Sequence, residues 1–180
     1  MLMFMLVYGC TSSTLEKTDP SQKIRLPSEK TPDEFTVFNN NVYTLKYPSS
    51  WEVEEHEAFV YFKPPLVSGD ETIYGNVVIY VAPIESGNQS LIDFFQASVE
   101  ILVETTPEFS FVEHKEEILS SLPAYRIVYT ESNDSEITQY LQVFTLKEGN
   151  TYIVTYAAPQ ETYAKYINNV EEMIHSFKIK

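Results

Sequence analysis

With 180 residues, 43% of them hydrophobic and 14% aromatic, the chain can build one domain with a real core, which excludes general disorder. Its formal net charge of −14 excludes nucleic acid as a natural partner, because such a surface repels a phosphate backbone. The single cysteine, Cys10, excludes an internal disulfide and leaves the rest of the chain without a thiol nucleophile.

Met1 to Val7 is apolar throughout and is followed by Tyr8, Gly9 and Cys10. Such a run falls far short of the roughly twenty residues a membrane helix needs, but it matches a signal-peptide core of about 7–15 residues. No Lys or Arg precedes it, which a start upstream of Met1 would explain. Val7-Tyr8-Gly9-Cys10 resembles the lipobox of bacterial lipoproteins. The resemblance implies that residues 1–9 are a signal peptide and that Cys10 opens the mature chain with a diacylglyceryl thioether. A thiolate is the side-chain nucleophile suited to that attachment. Thr11 to Glu34 is rich in Ser, Thr, Pro, Lys and Glu, and Pro20, Pro27 and Pro32 interrupt any helix. Residues 10–34 therefore read as a lipidated cysteine and a disordered tether, whose 24 residues after Cys10 span roughly 25–30 Å.

The domain is expected over residues 35–180, which carry eight basic against 21 acidic side chains. Phe35 to Phe38 reads as a first strand, Asn39 to Asn41 as its turn, and Val42 to Tyr47 as an alternating strand stopped by Pro48. Trp51 and Val53 share one face of the next strand, which turns at Glu55-His56-Glu57 into a strand from Ala58 to Phe62. Pro64 to Thr72 is a loop, and Gly75 to Ala82 is an apolar strand expected to be buried on both faces. A helix follows over Ser90 to Glu104, capped by Ser90 with Asp93, with Leu91, Phe94, Phe95, Ser98, Ile101 and Leu102 inward. Three strands, Phe109–Ile118, Ala124–Glu131 and Thr138–Leu146, turn at Leu122-Pro123 and Asn133-Asp134. A turn at Gly149-Asn150 leads to a strand over Tyr152–Ala157. Pro159 then opens a closing helix with apolar positions at Tyr163, Tyr166, Ile167, Val170, Met173, Ile174 and Phe177. Hairpin-joined strands broken twice by helices define an α+β fold, a central antiparallel β-sheet flanked by helices.

Four separated pieces carry a family resemblance. They are Tyr43-Thr44-Leu45-Lys46-Tyr47-Pro48-Ser49-Ser50-Trp51, Leu122-Pro123-Ala124-Tyr125-Arg126-Ile127, Asn150-Thr151-Tyr152-Ile153-Val154-Thr155-Tyr156 and Ile174-His175-Ser176-Phe177-Lys178-Ile179. In this order they resemble PsbP-like domains over residues 35–180. The resemblance implies an α/β/α sandwich and a binding or assembly accessory. Known members include an extrinsic photosystem II subunit that supports calcium and chloride retention, and envelope lipoproteins.

Catalytic chemistry has little to rest on. His56, His114 and His175 occupy no zinc-ligand spacing, and His175 is explained as a helix-end residue favoured by the dipole. Asp70 and Glu71 offer oxygen ligands without the spacing of a calcium loop. No Gly-x-Ser-x-Gly elbow, phosphate loop or His-Glu-x-x-His is present. Asn88 and Asn133 head sequons that also serve as turn residues. The sequence thus predicts a membrane-anchored extracytoplasmic lipoprotein, non-catalytic and without a resident cofactor, that binds or stabilises a membrane-associated protein. The alternative is a ligand- or calcium-binding accessory domain, including a photosystem II-like role.

Overall fold

The computed structural model describes residues 34–65, 75–84, 89–133 and 136–180. They form ten strands and two helices in the order β1 (Phe35–Asn39), β2 (Tyr43–Pro48), β3 (Glu52–Glu55), β4 (Phe59–Lys63), β5 (Asn76–Pro83), α1 (Leu91–Thr105), β6 (Ser110–Leu119), β7 (Leu122–Asn133), β8 (Glu136–Lys147), β9 (Asn150–Pro159), α2 (Ile167–Ser176) and β10 (Lys178–Ile179). All described pairings are antiparallel. A seven-stranded sheet has the order β3-β4-β5-β9-β8-β7-β6, and a separate three-stranded sheet has the order β1-β2-β10.

Period-2 alternation gives the large sheet two different faces. On β7, Ala124 and Val128 point to one face and Ile127 and Tyr129 to the other. The first face carries the main core, in which Phe62, Val77, Val143, Tyr156, Val170 and Met173 have no exposed surface. Both α2 and the small sheet contribute to this core through Met173, Ile174, Tyr43 and Leu45. The second face carries a smaller cluster of Ile127, Tyr129 and Phe144 beneath Phe94, Phe95, Val99 and Leu102 of α1.

The expected central antiparallel sheet is there, with α1 on one face and α2 on the other, but it does not take every strand. The strand Tyr43–Pro48 belongs to a second sheet, and α2 shares its side of the core with that sheet. Tyr43 packs its ring 5.0 Å from Phe177, and Trp51 meets Tyr166 edge-to-face at 5.5 Å. The closing helix is also shorter than its apolar stripe. Tyr163–Lys165 forms a 3-10 turn, and α2 starts at Ile167. The Tyr156 hydroxyl donates to the Tyr163 carbonyl at 2.9 Å, a carbonyl that an unbroken helix would pair with the N–H four residues on. Pro159 ends β9 opposite Thr138 and does not open the helix.

Other local expectations shift for clear reasons. Ser90 caps α1 as expected, its Oγ accepting from Asp93 N at 3.2 Å and donating to Asp93 Oδ2 at 2.6 Å. Ile101 is 59% exposed, and Val99 takes its place on the inner face. On β5 only Val77 and Ile79 are fully buried, while Val78 and Tyr80 are half-buried. The cluster beneath α1 draws its buried members from β7 and β8, and β5 supplies none of it. The β6–β7 turn is Ser120-Ser121, both at positive φ, and Pro123 lies within β7 opposite Ile118.

Among the described residues, Gly75 is the glycine whose replacement the fold resists most. Its φ is +103°, and a Cβ there would lie 2.4 Å from the Ala157 carbonyl oxygen and 2.6 Å from Ala158 Cβ. Gly75→Ala is therefore expected to cost about 3 kcal/mol, combining left-handed strain with displacement of β9 backbone. Urea unfolding monitored at Trp51 checks this, and an unchanged midpoint would refute it.

Candidate functional site

Two features of the described residues stand apart from simple packing. The first is Arg126, a strand residue on the same face as Ala124 and Val128 and only 5% exposed. Its Nε donates to Glu117 Oε2 at 2.6 Å and its Nη2 to Glu117 Oε1 at 3.0 Å. Its Nη1 donates to Glu171 Oε1 at 2.6 Å and Nη2 to Glu171 Oε2 at 2.8 Å. The planar guanidinium is thus forked by two carboxylates, one from β6 and one from α2. Hydrogen bonds from Arg126 hold the Glu171 carboxyl below its ordinary range despite partial burial. Nearby, burial pushes the Tyr163 hydroxyl up to about 12, so it stays protonated at neutral pH. Every polar atom of the guanidinium that the carboxylates can reach is occupied. The cluster ties α2 to β6 and β7.

The second feature is the surface made by α1 and the terminal strand β6. A groove of about 490 Å³ lies between them, lined by Leu91, Ile92, Ile118, Pro123, Ala124 and Tyr125, with Glu116 and Glu117 at its polar side. Ile118 is 64% exposed, Val112 54% and Phe111 46%, while Ile92, Ile101 and Val103 of α1 also reach solvent. Residues 91–119 carry seven carboxylates and one lysine. That lysine, Lys115, lies 3.6 Å from Glu113 on the same strand. As the last strand of the large sheet, β6 has no strand on its outer side among the described residues. It therefore turns alternate N–H and C=O groups outward. The surface is apolar at its centre and acidic around it.

The sequence-predicted candidates are scattered. His56 lies in the turn between β3 and β4, its Nε2 4.0 Å from Glu54 Oε2 and its ring edge-on to Tyr61. His114 lies on β6, with ring centroids 5.2 Å from Phe111 and 6.0 Å from Phe95. His175, on α2, places Nδ1 2.7 Å from the Glu171 carbonyl oxygen. Among the described residues, no three His, Cys, Asp or Glu side chains converge to hold a metal. Asn133 is exposed at the end of β7. Cys10, Asp70, Glu71 and Asn88 lie outside the described residues. Nothing in the sequence pattern pairs Arg126 with Glu117 and Glu171, although a lone charge between two inward-facing apolar positions of a strand signals a buried ion pair.

Against this geometry, the family model of the PsbP-like protein matches residues 7–179. The chain belongs to the PsbP-like family. A PsbP-like protein of the cyanobacterium Synechocystis sp. PCC 6803, CyanoP, has a similar fold. It is 11% identical, with a TM-score of 0.62 over 87% of this chain and 99% of CyanoP. LpqN of Mycobacterium tuberculosis, described as involved in cell envelope biogenesis, is also similar. It is 11% identical, with a TM-score of 0.62 over 82% of this chain and 91% of LpqN. A protein of unknown function from Pseudomonas aeruginosa, PA94, is 16% identical, with a TM-score of 0.56 over 74% of this chain and 89% of PA94. No curated protein matches the sequence. At these identities the neighbours establish the PsbP-like fold, antiparallel sheets with two helices, and the function has to be argued from the surface.

Proposed function

We propose that this PsbP-like chain is a membrane-anchored extracytoplasmic lipoprotein whose folded domain is a non-catalytic accessory. The domain binds or steadies a membrane-associated protein. The observation that carries this reading is the α1–β6 surface, where several large apolar side chains are exposed together beside a free strand edge. Exposed apolar clusters of this kind mark interaction sites more often than they occur by chance on monomers. Membership of the PsbP-like family supports an accessory role, and the envelope role ascribed to LpqN supports an extracytoplasmic location. No described helix is long and apolar enough to cross a membrane. The proposed attachment is through Cys10 and its acyl chains.

Mass spectrometry of the mature protein from the membrane fraction tests the anchor. The expected result is an amino-terminal peptide beginning at Cys10 and carrying a diacylglyceryl group. A mature protein with an unmodified Cys10 would remove the lipoprotein reading, while the family assignment would stand.

A further inference from the structure

We propose that β6 and its adjoining groove receive an extended, basic segment of a partner protein, which adds to the large sheet as an eighth strand. This rests on the accessory reading above and deepens it by naming the chemistry of the partner. Three observations set the occupant. The first is backbone: β6 ends the seven-stranded sheet, and a further strand would satisfy its outward N–H and C=O groups. The register between β6 and β7 shifts between Phe111 and Glu113, so the bulge twists the first part of the edge away. Glu113 to Leu119 is the regular segment left to pair, and it is long enough for a seven-residue strand.

The second observation is apolar shape. Ile118 stands at the mouth of the groove, whose wall is Leu91, Ile92, Pro123 and Tyr125. An aliphatic side chain from an added strand, pointing to the α1 side, would lie against Ile118 and enter that groove. Burying one such side chain supplies the hydrophobic anchor that main-chain pairing alone lacks.

The third observation is charge, and it decides between occupants. Glu113 and Glu116 stand on the edge strand itself, Asp93, Glu100 and Glu104 are on α1, and Glu108 lies between the two elements. The one lysine of this stretch, Lys115, already lies beside Glu113. An acidic edge rejects an acidic strand. A second copy of this chain would bring the same negative surface to the contact, at a cost in repulsion. A strand bearing Lys or Arg gains attraction on both of its faces. The charges on β6 thus act as a selection rule on the partner, not only as protection against aggregation.

The test uses the purified full-length protein and a blocked seven-residue peptide alternating lysine with isoleucine. Controls replace every lysine with glutamate, or place a proline at the centre. The expected result is saturable binding of the lysine peptide that weakens with added salt, with slowed amide exchange confined to Glu113–Leu119. Ile118→Ser, at an exposed position and without added charge, should leave the thermal midpoint nearly unchanged and weaken binding by about tenfold or more. Equal binding of the glutamate peptide, or protection at any other strand, would overturn the proposal. So would concentration-dependent self-association that Ile118→Ser abolishes, which would make a second copy the occupant. A partner recovered from membranes whose binding ignores Ile118→Ser would leave the accessory function intact while removing this inference.

Discussion

Replacing Arg126 with methionine is expected to lower the unfolding free energy by about 3–5 kcal/mol, because it strands two partly buried carboxylates without their cation. For a domain of this size the loss corresponds to a fall of roughly 10 °C in thermal midpoint. The pH dependence distinguishes this cause from simple loss of packing. In the native protein, hydrogen bonds from Arg126 depress the Glu171 pKa. A depressed carboxylate stabilises the fold above its unfolded pKa, and that contribution fades as pH falls through the folded value. Native stability should therefore decline below about pH 4, near the ordinary carboxylate pKa. In Arg126→Met the Glu171 carboxylate loses the hydrogen bonds that favour its charged form, so acidification narrows the gap between variant and native protein. Replacing Arg126, Glu117 and Glu171 together with apolar residues should recover most of the loss. Calorimetry of the native protein and both variants from about pH 2 to about pH 8 checks these expectations. A gap that stays constant with pH would contradict the ion-pair account.

Phe177→Ala is the second change with a large expected effect. Phe177 caps α2, is 1% exposed and lies against Tyr43 of the small sheet, so its ring is shared by α2, β2 and β10. Truncation removes a full aromatic side chain and leaves a cavity at the junction, at a cost of about 3–5 kcal/mol. The backbone partners of β10 are few, with Lys178 opposite Thr44 and Ile179 opposite Tyr43. Local loosening should therefore accompany the global loss. Hydrogen exchange should show faster amides at Lys178 and Ile179 than in the native protein, alongside a lowered urea midpoint. A variant within 1 kcal/mol of native stability would contradict the assigned packing.

The PsbP-like fold could be read from local chemistry wherever local chemistry decides. The Ser90 cap, the Tyr43 and Leu45 face and the Pro48 stop all survive into the structure. What the residues could not reveal depends on distant partners. Alternation in Tyr43–Pro48 is identical whether the strand joins the large sheet or a second one, and only packing against Phe177 and Trp51's surroundings decides. The break before α2 comes from Tyr156, whose hydroxyl reaches across from β9 to Tyr163. Ser120-Ser121 turns without the Asn or Gly that normally announces such a hairpin. At the candidate surface, the apolar residues of α1 were visible in the sequence, but their outward placement was not. Ile101 fits the same helical stripe as Leu102, and the line of contact with β7 and β8 leaves it in solvent. The groove itself needs β6, β7 and α1 together.

The central claim is that the α1–β6 surface is where this PsbP-like protein meets a membrane-associated partner. Its most direct test is photocrosslinking in native membranes with a benzophenone amino acid in place of Ile118, compared with the same replacement at Val37. Both positions are exposed, at 64% and 61%, so neither should disturb the fold. The account predicts one discrete, higher-mass adduct from position 118 and none from position 37. The same adduct from both positions, or none from position 118, would contradict it.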